Sequence, residues 1–432
     1  MATRAPVRPI EREDARATLG ARLQAARART LALAARLSPE DQQAQSMADA
    51  SPTKWHLAHT TWFFETFVLA PNVAGFRCFD EAFGYLFNSY YESVGARHPR
   101  PARGLLTRPP LARILDWRAR TEDELSRFVD TASDDLFAAA APMVDLGTHH
   151  EEQHQELILM DALHLLSVNP LAPAYADGPS PLTSAAVSSP LRWLEIEGGL
   201  VHIGHDGAGF AFDNECPRHK VWLEDFALAD RLVTNGEFLE FIDSGGYRDP
   251  LYWLSDGWAW VASEGAEHPI YWREQDGRWT EFTLHGRIPL DPARPVAHLS
   301  YFESDAYARF RGARLPTEAE WEHAAECGTE DREANLLDGG ALVALPAPAG
   351  SGLRQTIGDL WEWTASAYSP YPGFVPAVGA VGEYNGKFMS GQMVLRGGSF
   401  ATPAGHIRPT YRNFFYPHQR WMFSGLRLAR DV

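Results

Sequence analysis

The sequence contains few cysteines, and they lie far apart. Cys78, Cys216 and Cys327 are the three cysteines among 432 residues, and no two of them form a CxxC pair. Thiols at such separations make neither a disulfide framework nor a cysteine-based metal knuckle. We therefore expect a reduced protein of the cytoplasm, a compartment in which disulfides are rare.

Long apolar runs and an excess of basic residues are also absent. No stretch reaches the roughly 18 consecutive apolar residues of a membrane-spanning helix. The first 37 residues mix arginine with acidic residues and lack the apolar core of a secretory signal. Lys and Arg number 39 and Asp and Glu number 56, which gives a formal net charge of −17. Such a chain is poorly suited to nucleic acids and anionic membranes, so we expect small-molecule partners.

The chain is long enough for two or three domains, and its pattern changes near residue 176. Before that point, apolar residues recur at helical spacing, and the sequences SPED from Ser38 and SPT from Ser51 are typical helix starts. We predict four long helices, which favours a four-helix bundle over residues 1–175. The last three of these helices are expected at residues 51–69, 111–129 and 142–166.

Residues 176–190 are small, polar and rich in proline, which is the composition of a linker. After them the helical period fades, and short segments rich in tryptophan and glycine follow. We predict a compact α+β domain over residues 191–432, in which buried tryptophans and arginines hold the loops together. Two helices are expected in it, one at residues 234–243 and one at residues 300–311 that continues after Pro316 into residues 318–326.

Two histidine motifs on predicted core helices are the first candidates for chemistry. KWHLAHTTWFFE contains His56 and His59, and GTHHEEQHQE contains His149, His150 and His154. His150 and His154 are four residues apart, so they project from one helix face as two ligands of one metal ion do. A histidine from the other helix would complete an open three-histidine site, of the kind that Zn, Fe, Ni or Cu uses in catalysis. The alternative is a set of surface or structurally satisfied histidines, and the presence of two motifs favours the metal.

A basic loop follows the first histidine motif. Five arginines and no acidic residue lie between Ser93 and Leu115, and these arginines are at positions 97, 100, 103, 108 and 113. In an acidic protein, such a loop predicts recognition of a carboxylate or phosphate, or contact with the acidic second domain. Tyr90 and Tyr91 open the loop. A phenol there is a candidate proton donor, although paired tyrosines more often serve packing.

These motifs together resemble known families. SPTKWHLAHTTWFFE and HHEEQHQE are similar to the DinB-like bundle, whereas RLPTEAEWEHAA, GDLWEWT, VLRGGSF and GLRLARD look like the formylglycine-generating-enzyme (sulfatase-modifying factor) fold. Joined in this order, from about residue 38 to 431, they resemble the ergothioneine-biosynthesis sulfoxide synthases (EgtB-like). The resemblance implies a multidomain fold: an N-terminal DinB-like four-helix bundle and a C-terminal α+β formylglycine-generating-enzyme/C-type-lectin-like domain.

The resemblance also implies a non-haem iron(II) enzyme. Such enzymes use O2 to couple a thiol, cysteine or gamma-glutamylcysteine, to imidazole C2 of N-alpha-trimethylhistidine (hercynine), and they form a sulfoxide. The cofactor implied is Fe(II), and the ligands implied by the motifs are His59, His150 and His154.

Several substrate-binding residues follow from the same resemblance. Gln153 matches a residue that contacts the substrate imidazole. Asn413 and Phe414 fall where the family holds the trimethylammonium end, and an aromatic face suits such a cation. One branch of the family has Trp-Asp where this chain has Phe414 and Phe415, and the missing acid favours cysteine as the thiol.

The basic loop resembles the other branch of the family. In the stretch YYESVGARHPRPARGLL, the adjacent tyrosines match the active-site pair of that branch, so Tyr90 and Tyr91 are the implied catalytic residues. In that branch, the arginines that correspond to Arg100 and Arg103 face the carboxylate of the thiol substrate.

Other functions remain open at this point. A selenoneine synthase joins a selenosugar to the same trimethylhistidine with the same iron site, although the arginine loop favours a carboxylate-bearing partner, which a selenosugar lacks. A DinB-type thiol transferase would hold zinc, and a binding protein would keep the histidines without catalysis. A sulfatase-modifying oxidase is disfavoured because its cysteine pair lies late in the C-terminal domain, and Cys327 precedes WEWT and RGGSF.

Overall fold

The structure, a computed structural model, describes residues 12–178, 180–181, 190–328 and 334–432. Most of the predicted linker, residues 176–190, lies outside the described residues. The chain forms two compact units, of Met1–Ser89 with Gly95–Ile158 and of Tyr90–Val94 with Leu159–Val432. The short segment that carries the tyrosine pair therefore belongs to the second unit.

Helices dominate the N-terminal part of the chain. The helices are α1 (Arg12–Ala34), α2 (Pro39–Gln43), α3 (Thr53–Phe64), α4 (Ala70–Asn72), α5 (Phe83–Phe87), α6 (Leu111–Thr131) and α7 (Asp134–Ser167). The four long helices that the sequence predicts are α1, α3, α6 and α7, and a π-helical turn, Glu65–Leu69, continues α3. Helix α2 begins at a capping box in which the side chains of Ser38 and Asp41 each accept a hydrogen bond from the other residue's backbone N–H.

Helix α7 begins earlier than the sequence predicted. The prediction started this helix at Pro142, whereas the structure starts it at Asp134 and continues it through the proline. Acidic residues occupy its first turn, where they interact favourably with the helix dipole. Alanines at positions 138–141 precede Pro142, and their high helix propensity offsets the backbone hydrogen bond that the proline removes.

A buried carboxylate joins three of the long helices. Glu151 of α7 accepts hydrogen bonds from Arg118 of α6 and, at 3.1 Å, from Arg27 of α1. Arg118 also donates to the hydroxyl of Thr60 on α3 at 3.1 Å. Burial alone would raise the pKa of Glu151, but the two guanidinium groups outweigh it and lower the pKa to about 2.

We expect Glu151→Ala to lower the free energy of unfolding of the helical unit by about 3–5 kcal/mol, because two buried guanidinium groups lose their carboxylate. Glu124→Ala, which breaks an exposed pair with Arg127, should cost less than about 1 kcal/mol. Urea titrations followed by helical circular dichroism measure both values. The carboxylate of Glu151 stabilises the fold above its unfolded-state pKa of 4.5 and loses this effect as the pH falls towards 2. A difference between wild type and Glu151→Ala that stays constant over that range would contradict this assignment.

In its described residues, the second unit contains short strands and, after α7, four α-helices. The strands are β1 (Trp193–Ile196), β2 (Gly199–Ile203), β3 (His219–Leu223), β4 (Phe226–Ala229), β5 (Trp272–Gln275), β6 (Arg278–Thr283), β7 (Gly286–Pro289), β8 (Trp361–Ala367), β9 (Met393–Arg396), β10 (Asn413–Phe415), β11 (Ser424–Gly425) and β12 (Ala429–Asp431). They form sheets with the strand orders β1-β4-β12, β10-β9-β8-β11, β2-β3 and β5-β6-β7. The helices are α8 (Asn235–Asp243), α9 (Ser255–Glu264), α10 (Tyr301–Phe310) and α11 (Glu318–Cys327).

Helix α8 lies where the sequence predicted it, whereas the second predicted helix is divided into α10 and α11, on either side of Pro316. Each of the three begins at a capping box. Buried arginines hold the loops of this unit together, as expected. Arg427 bonds both carboxylate oxygens of Glu362 at 2.9 Å and also donates to two backbone carbonyls. Arg396 pairs with Glu322 at 2.6 Å. These ion pairs join motifs that are far apart in the sequence, so the loop-rich unit has a defined polar core.

Candidate functional site

Three histidines from two helices meet in the helical unit. His59 comes from α3, and His150 and His154 come from successive turns of α7. One ring nitrogen of each lies within 4.8 Å of the other two, and all three residues are buried. Their ring centroids are 4.6 to 5.0 Å apart. The structure thus brings together the three histidines that the motifs implied as metal ligands.

The hydrogen bonds of His59 leave one nitrogen available for a metal. Its Nδ1 lies 2.6 Å from the carbonyl oxygen of Phe87, the last residue of α5. A carbonyl only accepts, so Nδ1 carries the proton and Nε2 has the free lone pair. Within the described residues, His59 Nε2 and both nitrogens of His150 are buried without a hydrogen-bond partner. Buried polar atoms of this kind need a partner, and a metal ion is one that suits imidazole.

A fourth histidine holds His154 in place. The Nδ1 atoms of His56 and His154 are 2.8 Å apart, and both residues are buried. One ring must donate to the other, so this contact orients His154 and directs its Nε2 away from His56. The sequence placed His56 only as a helix neighbour of His59. Their three-residue spacing, which puts them on one helix face, was the signal that could have revealed its role.

The buried imidazoles are neutral at physiological pH. Desolvation is the largest cause, and it lowers the pKa of His150 to about 4 and the pKa of His59 and His154 well below the usual value. The neighbouring imidazoles lower the pKa of His59 and His154 further. A metal binds the neutral form, so the site offers three lone pairs without first releasing protons.

Aromatic rings and one arginine surround the histidines. The indole of Trp55 stacks on His59 with centroids 4.7 Å apart, and the guanidinium of Arg103 lies 3.3 Å from the Trp55 ring centroid. Arg103 is buried, and it donates to the hydroxyls of Ser51 at 2.8 Å and Ser89 at 3.3 Å. Arg103 therefore lies beside the histidine cluster, in contact with a ring that packs on one of its members.

The other residues predicted in this unit are less enclosed. Arg100 is exposed at the start of a 3-10 helix, Arg100–Leu105. Gln153 is half-buried on α7, between His150 and His154 in the sequence. The substrate contacts of Arg100, Arg103 and Gln153 stay predictions.

The tyrosine pair lies in an aromatic cluster of the second unit. Tyr90 is half-buried and packs against Tyr91, Tyr384 and Phe388, with ring centroids 5.0, 5.1 and 5.4 Å away. Phe414 belongs to the same cluster, because its ring lies 6.0 Å from that of Phe388. The sequence assigned the pair to the N-terminal domain, but these ring contacts join residues 90–94 to the second unit.

Tyr91 keeps its phenol proton at physiological pH. It is fully buried, and burial raises its pKa far above the ordinary value, with Tyr384 and Glu383 adding to the effect. It is therefore neutral at physiological pH, as a proton donor has to be. Sequence reasoning did not identify Tyr384, since only the fold brings residues 90 and 384 together.

The predicted cation-binding residues lie on β10. The ring of Phe414 stacks on Tyr368 with centroids 4.1 Å apart, whereas Phe415 packs edge-on against Trp421 at 5.7 Å. Successive strand residues point to opposite faces, so only Phe414 of this pair joins the tyrosine cluster. Asn413 turns its side-chain oxygen back to the N–H of Phe414 at 2.9 Å. A role for these residues with the trimethylammonium group stays a prediction.

Two regions of the chain match known domain families. Residues 22–158 match the DinB superfamily, and residues 182–432 match the sulfatase-modifying factor enzyme 1-like domain. The predicted multidomain fold is thereby confirmed. The fold and the domain pair define the class: a DinB-type helical domain combined with a sulfatase-modifying-factor-like domain.

Relatives that match this chain over nearly its whole length are hercynine oxygenases. The chain is 34% identical to that of Mycobacterium tuberculosis over 444 residues, which cover 96% of this chain and 99% of that one. It is 35% identical to that of Mycolicibacterium thermoresistibile, with 96% and 95% covered. The chain belongs to the hercynine oxygenase (EgtB-like) family, and it is an oxidoreductase.

A solved structure, PvdO from Pseudomonas aeruginosa, is 20% identical and covers 60% of this chain and 100% of its own, with a TM-score of 0.40. Across the described ranges, no helix combines the length and the apolar character needed to cross a membrane.

We expect His56→Ala to weaken binding of divalent metal by about 10- to 100-fold, because His154 loses the contact that orients it. Metal competition titrations on the chelator-stripped protein measure the affinity. The matched control is His202→Ala, at an exposed histidine of the second unit, and it should bind metal like the wild type. Unchanged affinity in His56→Ala would show that His154 needs no orienting partner.

Proposed function

We propose that the protein is a hercynine sulfoxide synthase, which uses Fe(II) and O2 to join a thiol to imidazole C2 of hercynine. The observation that supports this proposal is the buried cluster of His59, His150 and His154, in a chain that is similar to hercynine oxygenases over nearly its whole length. The reaction belongs to ergothioneine biosynthesis. Cysteine is the thiol that we favour, since Phe415 stands where an acidic residue would recognise a longer donor.

The histidine set fits iron. His59 Nε2 and the nitrogens of His150 are buried without a hydrogen-bond partner in the described chain, and the imidazoles are neutral. The cluster contains no carboxylate, so the thiolate of the substrate can supply negative charge that a carboxylate ligand gives in other non-haem sites. When it is bound there, iron supplies the redox chemistry for activating O2.

The tyrosine pair supplies a proton in this proposal. Tyr91 holds a proton at Oη because burial raises the pKa of its phenol. Tyr90 packs on Tyr91, and Tyr384 packs on Tyr90, so the three phenol rings form a continuous row of ring contacts. Proton transfer from one of them to a reacting oxygen favours C–S bond formation over oxidation of the thiol alone.

Substrate recognition is assigned to the polar and aromatic residues that the motifs implied. We infer that Gln153, next to His154 in the sequence, hydrogen-bonds the hercynine imidazole. Phe414, whose ring stacks on Tyr368, gives the trimethylammonium group an aromatic face, and Asn413 precedes it on β10.

The environment of the two arginines bears on which of two classes of donor the enzyme takes. A carboxylate-bearing thiol calls for an available guanidinium, and Arg100 is exposed. Arg103 instead donates to the hydroxyls of Ser51 and Ser89. Because a selenosugar has no carboxylate that needs this guanidinium, these bonds favour the second candidate, a selenoneine synthase with a selenosugar donor. Both reactions use the same histidines and hercynine.

The test is an assay of protein loaded anaerobically with Fe(II), started with O2 and analysed by mass spectrometry. Hercynine is supplied with cysteine, gamma-glutamylcysteine and a selenosugar in competition. We expect the cysteine sulfoxide adduct of hercynine as the main product. His150→Ala should lose both iron and product, whereas His202→Ala should keep both.

A selenium adduct as the main product would move the protein to selenoneine synthesis. If iron-loaded protein forms no adduct from any donor, the proposed substrates are wrong. Zinc retained in preference to iron, with thiol transfer and no use of O2, would indicate a DinB-type transferase.

We expect Tyr91→Phe, or the double variant with Tyr90→Phe, to lower the coupling rate by about 10²- to 10⁴-fold, the range of general acid catalysis. Iron content and hercynine affinity should stay unchanged, and oxidised thiol should replace the sulfoxide. Tyr384→Phe tests the third phenol, and Tyr252→Phe is the control at a half-buried tyrosine elsewhere in the second unit. Full coupling in both single variants and in the double variant would exclude the pair as proton donor.

A further inference from the structure

The segment Tyr90–Val94 carries the tyrosine pair without belonging to any helix or strand of the described chain. A turn of this kind has few backbone hydrogen bonds of its own, so side-chain contacts have to fix its conformation. Two bonds run within its own backbone, from Glu92 to Tyr90 and from Val94 to Tyr91. Further polar partners come from one distant stretch, which contains two short 3-10 helices, Ala380–Glu383 and Gly386–Phe388.

Glu383 holds the far end of the segment. Its carboxylate accepts hydrogen bonds from the backbone N–H of Glu92 and of Ser93, both at 2.9 Å, and from the hydroxyl of Ser93. The bond from the Ser93 hydroxyl contributes most to holding the pKa of Glu383 at about 2. The group is therefore a carboxylate throughout the neutral range, and its hydrogen bonds are charge-assisted.

Lys387 holds the near end. Its ammonium donates to the backbone carbonyl of Tyr90 and lies 5.7 Å from the centroid of that tyrosine's ring. It also pairs with Glu383 at 3.1 Å, four residues earlier. The two charged side chains thus hold the N–H groups at one end of the segment and the carbonyl at the other.

The same stretch also provides aromatic rings that pack against Tyr90. Tyr384 and Phe388 each follow one of the charged residues, and their rings lie 5.1 and 5.4 Å from that of Tyr90. Polar contacts therefore fix the backbone of the segment, while ring contacts fix the side chain of Tyr90.

We propose that Glu383 and Lys387 are positioning residues, which hold Tyr90–Val94 in the conformation that proton transfer from the tyrosine pair requires. They act through the segment and need not touch substrate or metal. We call the contacts of Glu383 and Lys387 with Tyr90–Val94 the clamp. The catalytic part of this inference rests on the proposed function, whereas the existence of the clamp does not.

Lysine chemistry offers a direct probe of the clamp. The sequence has lysines only at positions 54, 220 and 387. Lys54 is buried and donates to two backbone carbonyls, whereas Lys220 is exposed on β3. An ammonium engaged by a carbonyl and a carboxylate reacts slowly with amine reagents. Lys387 should therefore label more slowly than Lys220, which serves as the internal reference.

The experiment uses the full-length iron-loaded protein and compares wild type with Glu383→Ala. Mass spectrometry gives the labelling rate of Lys387 relative to Lys220, and the O2-started assay gives coupling rate and product ratio. We expect the relative labelling rate to rise about tenfold, the factor expected for losing one charge-assisted contact. Coupling should fall at least as much, with oxidised thiol as the replacing product, while hercynine affinity and iron content stay constant.

Conservative variants and a matched control separate positioning from a general loss of structure. Glu383→Asp and Lys387→Arg keep the charges, so they should restore part of the coupling that Glu383→Ala and Lys387→Ala lose. Glu264→Ala, at an exposed glutamate that ends α9, should change neither readout.

An unchanged labelling ratio in Glu383→Ala would overturn the clamp. A raised ratio with unchanged coupling rate and product ratio would overturn the positioning role. If wild-type protein couples nothing, the proposed function fails by itself, and the labelling ratio still decides whether the clamp exists.

Discussion

One guanidinium joins the two helices that carry the histidine cluster. Arg118 donates to Thr60, the neighbour of His59 on α3, and to Glu151, the neighbour of His150 on α7. All of these groups are buried, so none of them can exchange its partner for water. A buried charge that loses its partner is costly, and each helix is therefore held at the residue next to a candidate ligand. The geometry of the candidate metal site therefore depends on a buried ion pair beside it.

The same exclusion of water also sets the protonation state of the candidate ligands. Desolvation keeps the imidazoles neutral, and the contacts of their second nitrogens determine which nitrogen is free. The carbonyl of Phe87 does this for His59, and His56 does it for His154. A neutral, oriented set of lone pairs is what metal binding requires, and it arises here mainly from burial and from the contacts of the second nitrogens.

Local patterns predicted much of the fold. The capping boxes at Ser38 and Thr234 lie where the sequence placed helix starts, because a cap involves residues only three apart. The predicted start of α7 at Pro142 is wrong, because the alanine run before the proline is already helical and the helix continues through it. The family resemblance assigned the domains and, with them, the class of oxidoreductase. The surroundings of the tyrosine pair could not be predicted from the resemblance, because they depend on ring contacts of Tyr90 with Tyr384 and Phe388.

The sequence by itself determined which residues share a helix face. The four-residue spacing of His150 and His154 puts both on one side of α7, since the helical period is a local property of the backbone. The motifs implied His59 as the third member of the cluster, but only the tertiary structure decided that His56 supports His154, across 98 residues of sequence. It also decided that Glu383 meets Ser93, across 290 residues. Such pairings depend on how buried surfaces and charges pack, and no local period encodes that information.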